Sequence, residues 1–393
     1  MFDMTGIFDR EEPFYAEGSL WGPHTVEQRI HEGAWAQLPA LMQIVTEKWN
    51  VRSQVPYLVY MPETDRLLML LNCEHQPVVI FSDDRGATWS APRFVHPDLC
   101  IKPDRFFLGV GLAYLGEGKV ILSSAEGSDR ATSVWLSQDY GAHWEDFAPM
   151  PAAFDGKPCR QWDPFLVDRN KKTGTVERIA LAGYTLTTDA NHTRGFIRFS
   201  TDKGQTWSPD IVVPQWDRKN EIALTRVGNG DILAACRLDP SDENLEKIDH
   251  YTGFAVSISK DNGHTWSEAQ TLYKEGRHHT STVLLPNGDL VMSYVVRSGL
   301  PDTPDGFKQF GVEAIVSHDH GQSWDLDHLY LLAKWQADRK GENAWWRSVQ
   351  ATSSVLLPDG WICTAFGTYF RSQPAGKGLI RPLDVGLIKW QVR

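Results

Sequence analysis

Carboxylates, imidazoles and guanidiniums recur in this chain at the ends of short apolar runs, where a strand that only packs would not need them. In sequence order they are Gln54, Glu74 and His75; Asp104, Arg105 and Glu126; then Arg160, Trp162 and Asp163 in "CRQWDPFLV". Glu221 and Arg237 follow, with Asp249, His250 and Tyr251 beyond them. "GRHHTSTVLL" supplies Arg277, His278 and His279, ahead of Tyr294 and Arg297. "NAWWRSVQAT" supplies Trp346, Arg347 and Gln350, ahead of Tyr369 and Arg371. Charged groups rarely sit in buried strands without a partner or a task, and their recurrence predicts one shared polar pocket.

These residue types suit sugar chemistry. Glycoside hydrolysis needs one carboxylic acid for the leaving oxygen and a second carboxylate as base or nucleophile. Glu74 or Asp163 can be the acid, with Glu221 as the second group. Arg237, Arg297, Arg105 and Arg347 would hold an acidic or deoxy sugar, since a guanidinium grips a carboxylate in bidentate fashion. Gln54, His75, Trp162 and His278 complete the expected substrate-binding set. Two other classes fit. A His279 base, or a tyrosine, with an Arg237 clamp would abstract a proton alpha to a carboxylate, the reaction of a polysaccharide lyase on a uronic acid. A non-catalytic glycan-binding scaffold would use the same side chains, and Arg237 could serve only to neutralise Glu221.

The elements that must position these groups announce themselves as repeats. Ser-x-Asp-x-Gly-x-x-Trp occurs five times: "SDDRGATW" at 82, "SQDYGAHW" at 137, "STDKGQTW" at 200, "SKDNGHTW" at 259 and "SHDHGQSW" at 317. The starts are 55, 63, 59 and 58 residues apart, so a unit of roughly sixty residues is repeated. Each octet follows an alternating apolar run such as "PVVIF" or "FAVSI", a strand signal. In the octet, Asp is expected to accept hydrogen bonds from backbone N–H groups two or three residues on. Gly would take positive φ, Ser would bond locally, and Trp would cover the hairpin. The repeated residues therefore hold the fold, and the chemistry belongs to residues that differ between repeats.

A second turn recurs ahead of each octet and once more after the last: "YMPETDRLLML", "YLGEGKVIL", "DRNKKTGTVERIAL", "RVGNGDILAA", "LLPNGDLVMSY" and "LLPDGWICTAF". Two hairpins per unit make four strands. Six such units predict an all-β, six-bladed β-propeller of four-stranded antiparallel blades, in one domain over residues 1–393. The last unit is one strand short, and "HTVEQRI" at 24–30, within the N-terminal segment 1–50, is expected to supply it and close the ring. The alternative is a seventh blade from residues 1–50.

Composition narrows the partners. The 393 residues carry a net charge of −11, which disfavours a nucleic-acid or anionic-membrane surface. A small saccharide is the expected partner. Five scattered cysteines without a CxxC pair signal neither a zinc site nor a disulfide framework, and no metal or organic cofactor is expected. No signal peptide or long apolar run is visible, so the expected location is cytoplasmic. Nothing in the sequence bears on oligomeric state.

The octet is the Asp-box, or bacterial neuraminidase repeat, and over residues 50–393 the chain resembles the sialidase superfamily. The resemblance implies a propeller with three arginines around a sugar carboxylate, a Tyr–Glu nucleophile pair and an Asp acid/base. Glu221 and Arg237 in "KNEIALTRVGNGDILAACR" match that pattern. Gln54 stands where the first arginine belongs, Thr352 where the tyrosine does, and Lys308 or Arg297 near the third arginine. Glu74 and His75 occupy the region of the missing Asp. These departures imply a glycoside hydrolase of sialidase-like fold rather than a sialidase.

Overall fold

Alternating β-branched and aromatic residues between glycine-centred turns give strands throughout. In this computed structural model every regular element among the described residues is a β-strand. The structure describes residues 21–31, 33–47, 49, 53–73, 76–96, 107–127, 129–147, 150–187, 192–240, 252–341, 351–368 and 384–393. Two compact units contain them. One includes Val78–Arg93 and Gly276–Arg393 with the chain up to residue 74, and the other includes Phe94–Glu275 with His75–Pro77.

The first unit opens with a hairpin, β1 (Gly22–His31) and β2 (Ala34–Ile44). A four-stranded sheet follows, drawn mostly from this unit: β3 (Ser53–Met61), β4 (Arg66–Cys73), β5 (Gln76–Ser82) and β6 (Arg93–Phe94). The second unit holds three more such sheets. They are β7 (Phe107–Gly116) to β10 (Glu145–Asp146), through β8 (Lys119–Glu126) and β9 (Ala131–Ser137); β11 (Leu166–Arg169) to β14 (Ile211–Asp217), through β12 (Val176–Leu186) and β13 (Thr193–Ser200); and β15 (Lys219–Arg226) to β18 (Gln270–Tyr273), through β16 (Ile232–Leu238) and β17 (Phe254–Ser259). Each sheet is antiparallel and follows chain order from one edge to the other, the blade pattern of a β-propeller. The remaining strands belong to the first unit: β19 (Arg277–Leu284), β20 (Leu290–Val296), β21 (Phe307–Ser317), β22 (Asp325–Lys340), β23 (Thr352–Leu356), β24 (Ile362–Thr368) and β25 (Asp384–Trp390).

Two expectations are corrected here. Four separate four-stranded blades are seen among the described residues, not six or seven. The remaining strands join into one nine-stranded sheet, β19-β20-β21-β22-β1-β2-β25-β24-β23. The strand added beside β25 is also not 24–30. It is β2, with Leu41 opposite Lys389 and Ile44 opposite Gly386. The expected segment lies in β1, which pairs with β22 through Glu27 and Gln28. The "EGAW" turn folds β1 back onto β2, so the hairpin borders both neighbours and fuses two repeats into one sheet. Its core holds Phe310, Trp335, Phe366 and Trp390, with Trp335 stacked on Phe366 at 5.9 Å. In the second unit Trp216 and Trp266 meet at 4.5 Å beside Phe199 and Ile222.

All five octets fold alike. The serine Oγ accepts from the glycine N–H (2.7 Å in Gly86, Gly263; 2.8 Å in Gly141, Gly204, Gly321) and donates to the Asp carboxylate. The Asp accepts from the N–H four residues on, not two or three, and from that residue's side chain: Thr88, His143, Thr206, Thr265 or Ser323. The seventh position is thus constrained as well. Hydrogen bonds led by the Thr206 and Thr265 side chains lower Asp202 and Asp261 to about 2. Burial opposes the same effect at Asp84, Asp139 and Asp319, yet their hydrogen bonds still hold them below the usual carboxylate range. The glycine is required for a second reason besides its positive φ. A Cβ on Gly263 would lie 2.8 Å from Phe199 Cζ of the preceding blade. None of these aspartates is free for catalysis.

Candidate active site

The first strand of a blade is interrupted where polar side chains are presented. In β15, Asn220 pairs with Arg237 and Ile222 with Cys236, so Glu221 is bulged out, at φ 44°. The same slip occurs at Val55 in β3 (φ 53°) and at His279 in β19 (φ 54°). A bulge re-aims a side chain, and a non-glycine residue at positive φ stores strain that clusters at functional sites.

Four expected site residues lie in the second unit. Both Glu221 carboxylate oxygens accept from Arg237 Nη1 at 2.9 Å, and Arg237 Nε donates to Thr252 Oγ1 at 3.1 Å. Pair members are 10% and 8% exposed, so both charges are withdrawn from water yet matched. Asp163 is 7% exposed, and its Oδ2 is buried without a hydrogen-bond partner. Burial first, and the Glu221 charge second, raise its carboxyl well above the usual range. Gln161 Nε2 donates to the Asp163 carbonyl at 2.6 Å. The segment can sit there because residue 111 is glycine: a Cβ on it would fall 2.9 Å from the Asp163 carbonyl oxygen. Trp162 packs on Leu108, Val110 and Ala125.

Of the other described candidates, Glu126 and Arg160 also lie in the second unit, Glu126 accepting from Ser124 Oγ at 3.2 Å and Arg160 bridged to Tyr184 through the backbone; the rest lie in the first unit. His278 and His279 are buried with ring centroids 4.5 Å apart, and Arg297 is 5% exposed with its N–H donated to the Gly276 carbonyl. Gln54 is buried beside the β3 bulge. Thr352 is a latch: its hydroxyl donates to the carbonyl of the bulged His279 at 2.7 Å. Lys308 is half-exposed and paired with Asp302. Glu74, His75, Arg105 and Arg347 lie outside the described residues, as do Asp104, Asp249, His250, Tyr251, Trp346, Gln350, Tyr369 and Arg371.

Sequence reasoning missed two groups. Glu313, 2% exposed, pairs with Arg277 at 2.8 Å; its signal was a lone carboxylate inside the apolar run "GVEAIV". Tyr184 lies in β12 where Arg237 lies in β16, each five residues past the isoleucine paired with the octet serine, and that shared position was its signal. Burial first, then the Glu221 charge, raise its phenol.

Asp163 and Glu221 are two carboxylates in opposite environments, one desolvated and the other ion-paired. The sequence profile of the BNR repeat-like domain matches residues 24–336. The chain belongs to that family. Similar solved structures include a protein of unknown function from Dyadobacter fermentans (15% identity, TM-score 0.63, covering 88% of this chain and 96% of that one). The NanB sialidase of Streptococcus pneumoniae is another (14%, TM-score 0.58, 86% and 68%). A third is an alpha-L-arabinanase of Penicillium chrysogenum (14%, TM-score 0.52, 86% and 93%). At these identities the likeness is one of fold. Curated proteins give no significant match. Thr352, which the sequence resemblance set at the nucleophile position, lies beyond the matched residues and is tied to the His279 carbonyl.

Proposed function

We propose that this BNR repeat-like protein is a single β-propeller domain that hydrolyses glycosidic bonds with Asp163 as general acid and Glu221 as the second carboxylate. The observation that carries the reading is the split between these two groups. Asp163 is pushed toward its protonated form by burial and by Glu221, while Glu221 is matched by Arg237. A desolvated carboxyl together with an ion-paired carboxylate is the kind of split by which a glycosidase separates its acid from its base or nucleophile. The sialidase and the arabinanase that share the fold are themselves enzymes acting on sugars by their names, which supports the substrate class.

The test is a panel of oligosaccharides and aryl glycosides with acidic and neutral terminal sugars, read by mass and by ultraviolet absorbance. Turnover of an unactivated glycoside should fall about 10²–10⁴-fold in Asp163→Asn, the usual contribution of a general acid. A dinitrophenyl glycoside, which leaves without protonation, should lose far less. An unsaturated, ultraviolet-absorbing product would replace the hydrolase by a lyase. No product from any sugar, or equal losses on both leaving groups, would remove Asp163 from the acid role.

A further inference from the structure

A general acid must be kept loaded as well as placed, and the segment that carries Asp163 holds a side chain fitted to that task. Gln161, two residues earlier and 2% exposed, donates from Nε2 to the Asp163 carbonyl at 2.6 Å. A carbonyl only accepts, so the orientation of the amide is fixed: its nitrogen faces the Asp163 main chain and its oxygen is left over. That oxygen, Oε1, is buried without a hydrogen-bond partner, and so is Oδ2 of the Asp163 carboxyl. Native folds seldom bury two unmet polar atoms two residues apart without a reason.

A third such atom lies close by. Ser123 Oγ is fully buried and also without a partner. Ser123 stands opposite Gly111 across β7 and β8. A Cβ on Gly111 would fall 2.5 Å from Ser123 Oγ and 2.9 Å from the Asp163 carbonyl oxygen. Glycine therefore keeps a small polar space open beside the Asp163 main chain, wholly within the second unit.

The donor and acceptor inventory selects a protonation state. Gln161 Oε1 can only accept. An ionised Asp163 offers only acceptors as well and satisfies neither atom. A neutral Asp163 carries an O–H, and one hydrogen bond from it then meets both needs. The Ser123 hydroxyl donates or accepts, so it does not choose between the two states. The titratable groups that face Asp163 are Glu221 on β15 and the Cys236 thiol on β16. Burial and the Glu221 charge push the carboxyl in the same direction. We propose that Gln161 is the positioning residue of the acid: its Oε1 accepts the O–H of neutral Asp163 and holds the proton there between turnovers. The inference rests on the hydrolase reading for the use of that proton, not for where it is held.

The experiment follows the carboxyl itself. Carbon-13 NMR of protein labelled at the aspartate carboxyl carbon is recorded through a pH titration, and the Asp163 signal is assigned by its loss in Asp163→Asn. Wild type, Gln161→Met, Gln161→Asn and Ser123→Ala are compared, with thermal unfolding to show that each is folded. Methionine keeps the length and the burial and removes the acceptor. The Asp163 midpoint should fall by about 0.5–1 pH unit in Gln161→Met, the size of one neutral hydrogen bond lost from the protonated form. Gln161→Asn, whose shorter amide gives up the reach, should fall likewise and serves if the methionine variant does not fold. Ser123→Ala should leave the midpoint in place. On a glycoside that is turned over, the basic limb of the kcat profile should move down with the midpoint while KM stays. A midpoint that stays or rises in the folded Gln161 variants, or falls as far in Ser123→Ala, overturns the assignment; should Asp163→Asn still abolish turnover then, the acid stands without Gln161. A midpoint that falls as stated while no glycoside is turned over keeps the Gln161 pairing and removes the hydrolase reading.

Discussion

At the scale of single residues, the informative groups are those whose surroundings oppose their own chemistry. Asp163 is the clearest. Burial and the Glu221 charge raise its carboxyl in the folded protein, whereas the unfolded chain gives its proton up as pH rises through the ordinary carboxylate range. The native state then binds more protons than the unfolded one, so stability falls with rising pH until the raised pKa is passed. Asp163→Asn removes this dependence. The variant should melt higher than wild type at pH 7, with the gap closing toward pH 4, while losing turnover. Calorimetric melts at both pH values check this, and a wild-type advantage at pH 7 would contradict it. The residue types of this site were legible in the sequence: Asp163, Glu221 and Arg237 stood out as charges in apolar company. Their pairing was not. Which guanidinium would be consumed by Glu221 depends on a cross-strand register that single residues do not encode.

At the scale of elements, the repeated device is the slipped first strand. Local propensity foretold strands and turns well, because alternation and glycine-centred turns are local signals. It could not foretell the bulges, since Val55, Glu221 and His279 are three unrelated residue types in one unfavourable conformation. Val55 offers a test, being β-branched at φ 53° and 3% exposed. Glycine there gives up apolar burial but releases strain of about 1–3 kcal/mol. At Val59, 8% exposed on the same strand in regular pairing, the same change releases nothing. Val59→Gly should therefore cost about 1–3 kcal/mol more than Val55→Gly in chemical denaturation. Equal costs would mean that the bulge is unstrained. The octets show the reverse case. Their fixed Ser, Asp, Gly and Trp were read correctly as fasteners, and only the reach of the Asp to the fourth residue on was misjudged, because it needs two consecutive positive-φ residues (Asn262 at 61° and Gly263 at 95°).

At the scale of the whole chain, the repeat count was visible but its partition into sheets was not. Sixty-residue periodicity says how often a unit recurs, and it is silent on which N-terminal strand will border which neighbour. The hairpin of β1 and β2 settles that by taking both places. Its two strands are consecutive in sequence, yet Leu41 must find Lys389, and contacts so distant along the chain are slow to form. During synthesis β2 is made long before β25, and the edge they share waits unpaired until β25 follows. A circular permutant that joins residues 1 and 393 through a flexible linker and opens instead in the exposed turn near Thr64 would bring β25 and β2 far closer in sequence. It should refold faster in stopped-flow fluorescence, and it should aggregate less while doing so.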